Sequence, residues 1–148
     1  KKSVIPCGID SEVFIPMDTM KARQTLGLGL QKKYVLFSSA FDVPVKNYGL
    51  ARAVISLLPE CELLEIKNRN RKEVNLLLNA ADVLLVTSFS EGSPQIVKEA
   101  LACNCPVVSV NTGDIAERLS GANNCFITGY DAKEISGKIR IILNSGER

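Results

Sequence analysis

The sequence contains no histidine and no tryptophan among its 148 residues. Without histidine, the chain cannot form a Ser-His-Asp triad, a Cys-His pair or a histidine-ligated metal site. It has no apolar run of the roughly 20 residues that a transmembrane helix needs, and its N-terminal residues lack the apolar region of a signal peptide. The formal net charge is only +2, so the strongly basic face of a nucleic-acid-binding module is missing. We therefore expect a cytoplasmic domain that binds no nucleic acid, and peripheral membrane association stays open.

The sequence does contain enough apolar material for a folded core. Hydrophobic residues make up 46% of the chain and charged residues 23%, which is typical of a globular protein. At this length one domain is expected. Residues 1–5 start directly in an apolar run, and residues 144–148 stop just after a predicted helix. The sequence therefore fits either a free-standing domain or one domain of a larger protein.

The cysteines are odd in number and irregularly spaced, and they form no C-x-x-C pair. They are Cys7, Cys61, Cys103, Cys105 and Cys125. This pattern is not a disulfide framework, and the Cys103-x-Cys105 pair lacks the further ligands of a zinc site. We expect buried structural thiols in a reducing compartment.

Short apolar runs alternate with segments of helical period along the whole chain. The runs predict strands at 34–37, 63–66, 83–86, 107–110 and 125–127. Apolar residues at helical spacing predict helices at 47–58, 72–80, 94–103, 114–119 and 132–143. This alternation is typical of βαβ units. It predicts an α/β fold of the Rossmann-like type, with three layers and a mostly parallel sheet.

Two common nucleotide-binding motifs are absent from this pattern. Gly27-Leu28-Gly29 precedes a predicted strand instead of following one, and Lys32 occupies the place of the third glycine. No Gly-Lys-Ser/Thr sequence of a P-loop occurs either. Neither a P-loop nor a dinucleotide-binding fingerprint is therefore expected.

The most informative segment joins the most apolar strand to a predicted helix at residues 90–95. Ser93 is a favourable N-cap residue, and Pro94 suits the first helical position. The backbone amides of Gly92, Ser93 and Gln95 would then lie at a helix N-terminus, which favours an anion. Gly92 would let a ligand approach the backbone closely.

Three charged residues lie near this turn or near the corresponding loop after the first strand. Glu91 precedes the turn, Glu99 lies one helical turn beyond Gln95, and Lys46 stands close to a predicted helix start. Carboxylates accept hydrogen bonds from sugar hydroxyls, and a cation close to a helix N-terminus hints at a bound anion. From spacing alone, an ordinary loop acid, a surface helix residue and a solvated lysine explain these residues better.

The segment Glu91-Gly92-Ser93-Pro94-Gln95-Ile96-Val97-Lys98-Glu99, continued to Cys103 and Pro106-Val107-Val108, resembles the E-x7-E signature of family 4 glycosyltransferases. Residues 4–10, 80–85 and 112–117 are also similar to segments of that family. The resemblance spans essentially the whole chain, and its central motif is specific.

The resemblance implies the C-terminal half of a GT-B fold, in which two Rossmann-like domains face a cleft. Residues 1–148 would be the nucleotide-sugar-binding domain, and its partner would be an N-terminal acceptor domain that this chain does not contain. The full-length enzyme would transfer a sugar from a donor such as UDP- or GDP-hexose to a glycan or lipid-linked acceptor. It would retain the anomeric configuration and would need no metal and no other cofactor, whereas this chain alone would be inactive.

The resemblance also assigns residues. Glu91 and Lys46 would be catalytic: Glu91 contacts the transferred sugar, and Lys46 neutralises the donor diphosphate. Glu99 would accept the ribose hydroxyls. The other donor-binding positions would be Ser39, Gly92, Ser93, Pro94 and Gln95.

The chain departs from the family at two places. Ala40 and Phe41 replace the usual Gly-Arg pair, whose arginine is a second diphosphate contact. Residues 66–74 are shorter than in many relatives, in a loop that often frames the base. The nearest cations that could substitute for the arginine are Arg69, Arg71 and Lys72, although a solvated loop explains this basic cluster better. The alternatives are a non-catalytic nucleotide-sugar-binding module of GT-B fold and a GT-B nucleotide-sugar epimerase.

Overall fold

The computed structural model describes residues 8–148, so the apolar run at 1–5 and Cys7 lie outside the described residues. The strands are β1 Lys33–Phe37, β2 Cys61–Leu64, β3 Val83–Val86, β4 Val107–Val110 and β5 Phe126–Thr128. The helices are α1 Thr19–Leu26, α2 Tyr48–Ser56, α3 Arg71–Ala80, α4 Gln95–Ala102, α5 Ile115–Leu119 and α6 Ala132–Ser145, with a short 3-10 helix at Pro44–Lys46 before α2. No helix in this range is long and apolar enough to cross a bilayer.

The five strands form one parallel sheet in the order β2-β1-β3-β4-β5. Because side chains alternate across a strand, each strand contributes to two cores. Leu36 and Leu84 pack under α3, α4 and α5, whereas Val35 and Val83 pack under α2 and α6 on the other face. The predicted three-layer α/β fold is confirmed, and the sheet is parallel throughout its described strands.

The strand boundaries follow the apolar runs closely except at β2. The sequence predicted a strand at 63–66, but β2 covers Cys61–Leu64 and begins directly after the turn at Pro59 and Glu60. Its parallel register with β1 starts at the pair Lys33 and Cys61. β2 is the outermost strand of the sheet, and its second residue, Glu62, is exposed. The segment 61–64 therefore does not form the continuous apolar run that a strand buried on both faces shows.

The sequence did not predict α1, because the side chain that anchors this helix is charged. Arg23 is only 4% exposed. Its guanidinium donates to the carbonyls of Leu30, Lys32 and Ala80 at 2.9–3.0 Å and to Asp82 Oδ2 at 3.0 Å. The same Asp82 oxygen accepts the Tyr34 amide at 2.7 Å. This network ties α1 to the end of α3 and to the starts of β1 and β3.

The cysteines within residues 8–148 are all free thiols, and Cys103 and Cys105 are buried as expected. Burial raises the pKa of Cys61 and Cys103 to about 11 and that of Cys105 to about 12. Burial also raises the pKa of Cys125. At neutral pH these groups are protonated and act as small apolar side chains.

We predict that Arg23→Ala lowers the free energy of unfolding by roughly 3 kcal/mol or more, because it leaves Asp82 and three carbonyls without their buried partner. Urea denaturation measures the change. Arg69→Ala is the matched control, since the exposed Arg69–Glu73 pair at 3.6 Å should contribute only about 0.5 kcal/mol. Equal losses in the two variants would contradict a structural role for the Arg23 network.

Candidate functional site

The strand order reverses between β1 and β3, and this reversal opens a crevice at their carboxyl ends. The chain after β1 enters α2 on one face of the sheet, whereas the chain after β3 enters α4 on the other. Because the two helices diverge, neither covers the space between the strand ends, where open α/β sheets bind ligands. Ser39, Lys46 and Glu91 follow these two strands, so the fold brings all three to the carboxyl-terminal end of the sheet.

Lys46 and Glu91 form an ion pair across this crevice. Lys46 Nζ lies 2.5 Å from Glu91 Oε1, and the two side chains are only 21% and 11% exposed. The ammonium group has three donors, so this bond leaves N–H groups for a further ligand. The structure therefore brings together two residues that are 45 positions apart and that the sequence assigned to one site.

Ser88 and Tyr130 fix the position of Glu91, and the sequence analysis missed both residues. Ser88 Oγ donates to Glu91 Oε1 at 2.7 Å, and the Tyr130 hydroxyl donates to the Ser88 carbonyl at 2.8 Å. The bonds from Ser88 and Lys46 both end on Oε1, and Oε2 accepts none from the residues that the structure describes. Glu91 is thus oriented by the protein through one oxygen, while the other can accept a hydrogen bond from a ligand.

Thr87 and Phe89 hold the backbone that carries Lys46. The buried Thr87 hydroxyl donates to the carbonyls of Lys46 and Asn47 at 2.9 and 3.0 Å. The Phe89 amide donates to the Val45 carbonyl at 2.9 Å. The loop after β1 is therefore fastened to the loop after β3 by backbone contacts as well as by the ion pair.

The prediction that Ser93 is the N-cap of α4 and Pro94 its first residue is wrong. The helix begins at Gln95, and Pro94 is the N-cap residue in an extended conformation. Ser93 Oγ donates instead to Asp114 Oδ2 at 2.7 Å. Ser93 lies two residues before the helix and its hydroxyl bonds to the loop after β4, and the first turn of α4 has no side-chain cap.

This arrangement leaves polar groups of the turn available. The amides of Gly92, Ser93 and Gln95 have no acceptor among residues 8–148. Gln95 Nε2 donates to the Gly8 carbonyl at 3.2 Å, whereas Gln95 Oε1 is buried and has no partner within the same residues. Uncapped amides at a helix N-terminus favour an anion or a hydroxyl oxygen.

Glu99 lies one turn along α4 and is partly buried. Burial raises the pKa of its carboxyl group, and the positive charge of Arg71 opposes this shift. Arg71 is the first residue of α3, and its guanidinium lies 3.6 Å from Asp10 Oδ2. The Arg71 side chain is exposed, as expected of a solvated cluster, and its charge favours the ionised form of Glu99.

Phe41, which stands where the resemblance implies an arginine, lies in an aromatic cluster. Its ring stacks on Tyr48 with centroids 4.3 Å apart and lies 5.7 Å from the ring of Phe37. Its amide donates to Glu65 Oε2 at 2.9 Å. The neighbouring Ser39 accepts the Ile66 amide through its carbonyl. The loop after β1 is therefore held at its base by aromatic packing and by hydrogen bonds with Glu65 and Ile66.

The remaining basic residues of the 67–72 cluster are exposed. Lys67 pairs with Asp42 at 2.7 Å and Arg69 with Glu73 at 3.6 Å. Each of these pairs joins exposed side chains, as expected of a solvated cluster. Within the described part of the chain, no group of three or more cysteine or acidic side chains could hold a metal ion.

Comparisons with known proteins agree with this architecture. A family model described as "Glycosyl transferases group 1" matches residues 62–148. D-inositol 3-phosphate glycosyltransferase of Mycobacterium marinum is 23% identical over 96% of this chain and 37% of its own length. The enzyme of the same description from Stackebrandtia nassauensis is 25% identical over 100% of this chain and 42% of its own length. The chain thus spans about two fifths of the length of these relatives.

Solved structures share the fold at low identity. Sucrose-phosphate synthase from Thermosynechococcus elongatus superposes with a TM-score of 0.82 at 20% identity, over 95% of this chain and 43% of that one. Anabaena HepE in complex with UDP and glucose gives 0.73 at 19% identity, over 95% and 47%. The C-terminal domain of a glycosyl transferase group 1 family protein from Francisella tularensis gives 0.72 at 15% identity, over 93% and 88%. Because the family model matches more than half of the sequence, the chain belongs to the glycosyl transferases group 1 family.

Proposed function

We propose that this chain is the donor-binding, C-terminal domain of a retaining, metal-independent glycosyltransferase of family 4. The donor is a nucleotide-diphosphate sugar such as a UDP- or GDP-hexose, and the acceptor is a glycan or a lipid-linked sugar. The observation that carries the proposal is the Lys46–Glu91 pair at the strand-order reversal, beside the uncapped N-terminus of α4. It provides a cation, a carboxylate and free backbone donors at one edge of the sheet.

These groups suit the chemistry of sugar transfer from a nucleotide diphosphate. Departure of the nucleotide develops negative charge on the diphosphate oxygen that is released. The Lys46 ammonium and the amides at the start of α4 would stabilise that charge, and they are already in place before the reaction. Glu91 would accept a hydroxyl of the transferred sugar through Oε2, since its other oxygen is held by Lys46 and Ser88.

Glu99 would bind the ribose. It lies on α4 one turn beyond the amides that would receive the diphosphate, which agrees with the order of groups in a nucleotide. Its carboxylate would accept the two ribose hydroxyls, and Arg71 would favour the ionised form that accepts them. Ser39, Gly92, Ser93, Pro94 and Gln95 would line the same ligand.

The full-length protein would add an N-terminal acceptor domain. Two findings support this: the chain spans about two fifths of its curated relatives, and it matches a C-terminal domain solved alone. The named relatives are glycosyltransferases, so neither a non-catalytic module nor an epimerase is favoured. We place the protein in the cytoplasm, with peripheral association at the inner face of the membrane through the full-length protein.

The first test is nucleotide binding by this chain, titrated calorimetrically with UDP, GDP and ADP. One of the three should bind, and Lys46→Ala and Glu99→Ala should each weaken it by about 10- to 100-fold. This is the range expected for loss of a hydrogen bond to a charged group, about 1.5–3 kcal/mol.

Lys32→Ala and Glu62→Ala are the matched controls for this titration. These residues form an exposed ion pair at 3.1 Å. Lys32 precedes β1 and so lies at the amino-terminal end of the sheet, away from the site. Both controls should bind like the wild type. The site assignment fails when no nucleotide binds, or when the nucleotide binds equally well to all four variants.

Binding should also depend on pH through Glu99. Because burial raises the pKa of this carboxyl group above its usual value of 4.5, the carboxylate is lost as pH falls through that raised pKa. The affinity for UDP-glucose should then fall as pH drops below it, to a limit set by the loss of about 10- to 100-fold expected for Glu99→Ala. Arg71→Ala should move the midpoint to higher pH, since the opposing charge is gone.

Glu99→Gln is the reference for this profile because glutamine does not titrate. UDP-glucose is the suitable probe, since its diphosphate carries no terminal phosphate group that titrates near pH 6. Coincident profiles for the wild type and Glu99→Gln would show that Glu99 ionisation plays no part in binding.

The full-length protein should transfer sugar with retention in the presence of EDTA. Under this proposal, Lys46 and the α4 amides stabilise the leaving diphosphate in place of a metal ion. The anomeric proton in the NMR spectrum of the product reports the configuration. An inverted product, or activity restored only by a divalent cation, would contradict this part of the proposal.

A further inference from the structure

The loop between β4 and α5 lies directly against the turn at residues 91–95. Gly113 has a φ of +57°, and a Cβ placed on it would lie 2.2 Å from the Gly92 carbonyl oxygen and 2.7 Å from that of Glu91. Contacts this short are not compatible with a side chain. Any residue other than glycine at 113 would therefore force either this loop or the turn to move.

Asp114 binds the same turn from the same side. Its amide donates to the Gly92 carbonyl at 3.0 Å, and its Oδ2 accepts the Ser93 hydroxyl at 2.7 Å. Oδ2 also accepts Arg118 Nε at 3.0 Å. The hydrogen bond from Ser93, together with Arg118, holds the pKa of Asp114 below its usual range, so the acceptor is ionised at neutral pH.

On its helix side, the turn has no capping side chain that would fix its orientation. The first turn of α4 has no side-chain cap, and the extended Pro94 separates the turn from the helix. The carbonyl of Gly92 and the hydroxyl of Ser93 are both occupied by Asp114, whereas the amides of these two residues have no acceptor among residues 8–148. The contacts from the loop after β4 therefore act on the residues that carry those amides, whereas Lys46 and Ser88 hold the turn only through the Glu91 side chain.

We propose that Gly113 and Asp114 are positioning residues, which hold the amides of Gly92, Ser93 and Gln95 in the orientation that binds the donor diphosphate. Gly113 acts by the absence of a side chain, which allows the two loops to touch. Asp114 acts through its two bonds to the turn. The ligand in this inference rests on the proposed function, but the contact between the loops does not.

The test compares two glycine substitutions in this chain. Gly121 also has a positive φ, +77°, but a Cβ there would meet nothing within 4 Å. It precedes β5 and so lies at the amino-terminal end of the sheet, away from the turn. Gly113→Ala and Gly121→Ala therefore impose similar backbone strain, and only Gly113→Ala displaces the turn. Thermal unfolding tests whether each variant is folded before the two are compared.

Two readouts separate this inference from the proposed function. In 15N NMR spectra without ligand, the amide signals of Gly92, Ser93 and Gln95 should shift in Gly113→Ala and not in Gly121→Ala. The second readout is a titration with whichever of UDP, GDP and ADP binds the wild type best. Gly113→Ala should weaken this binding by about tenfold, which corresponds to the loss of about one hydrogen bond to a charged group. The corresponding monophosphate should lose less, because it contacts fewer of the amides.

Asp114 variants keep the inference testable should Gly113→Ala not fold. Asp114→Asn retains an oxygen acceptor for Ser93, so the chemical shifts of the turn amides and the affinity should stay as in the wild type. Asp114→Ala should change both. Unchanged turn signals in Gly113→Ala and Asp114→Ala would overturn the inference. If the turn signals shift in these variants but the wild-type chain binds no nucleotide, the positioning contact is upheld and the proposed function is rejected.

Discussion

The reversal of strand order between β1 and β3 is the constraint on which the site depends. It makes the carboxyl ends of two strands neighbours while α2 and α4 leave towards opposite faces. Two loops far apart in sequence consequently meet in an uncovered crevice. The Lys46–Glu91 pair and the bonds from Thr87 to the backbone of Lys46 and Asn47 join them there. Charged side chains can remain mostly buried at this edge because each has its partner in the other loop.

The sequence was sufficient for the fold wherever apolar residues form the element. The run at Val83–Val86 is buried on both faces, and it predicted its strand without error. It was insufficient for α1, in which only Ala22 and Arg23 are buried. That helix is positioned by the Arg23 guanidinium and Asp82, which are 59 positions apart. A hydrophobic period cannot show a contact of this kind, although Asp18 and Gly27 are ordinary helix boundary residues.

The candidate site shows the same division between local and distant contacts. A motif predicted Glu91, Glu99 and the turn between them. Thr87 and Tyr130 act through partners on other loops and carried no local signal. Ser88 contacts Glu91 within its own loop but lies outside the motif. The wrong assignment of Ser93 has the same origin. N-cap preference is a local tendency worth about 1 kcal/mol, and the ionised Asp114 offers a stronger acceptor 21 positions away.

The replacement of the usual arginine by Phe41 changes the balance of charge at the crevice. Under the proposed function, the diphosphate meets one lysine that already neutralises Glu91, so the crevice supplies little net positive charge. Phe41 keeps the loop in place through Tyr48 and Glu65 but offers no cation. The backbone amides at residues 92–95 must then contribute a larger share of anion binding than they would beside two cations. Amides bind an anion well only when their orientation is fixed beforehand. Under the proposed function, the absence of a cation at 41 and the tight support of the turn by Gly113 and Asp114 are therefore two parts of one electrostatic arrangement.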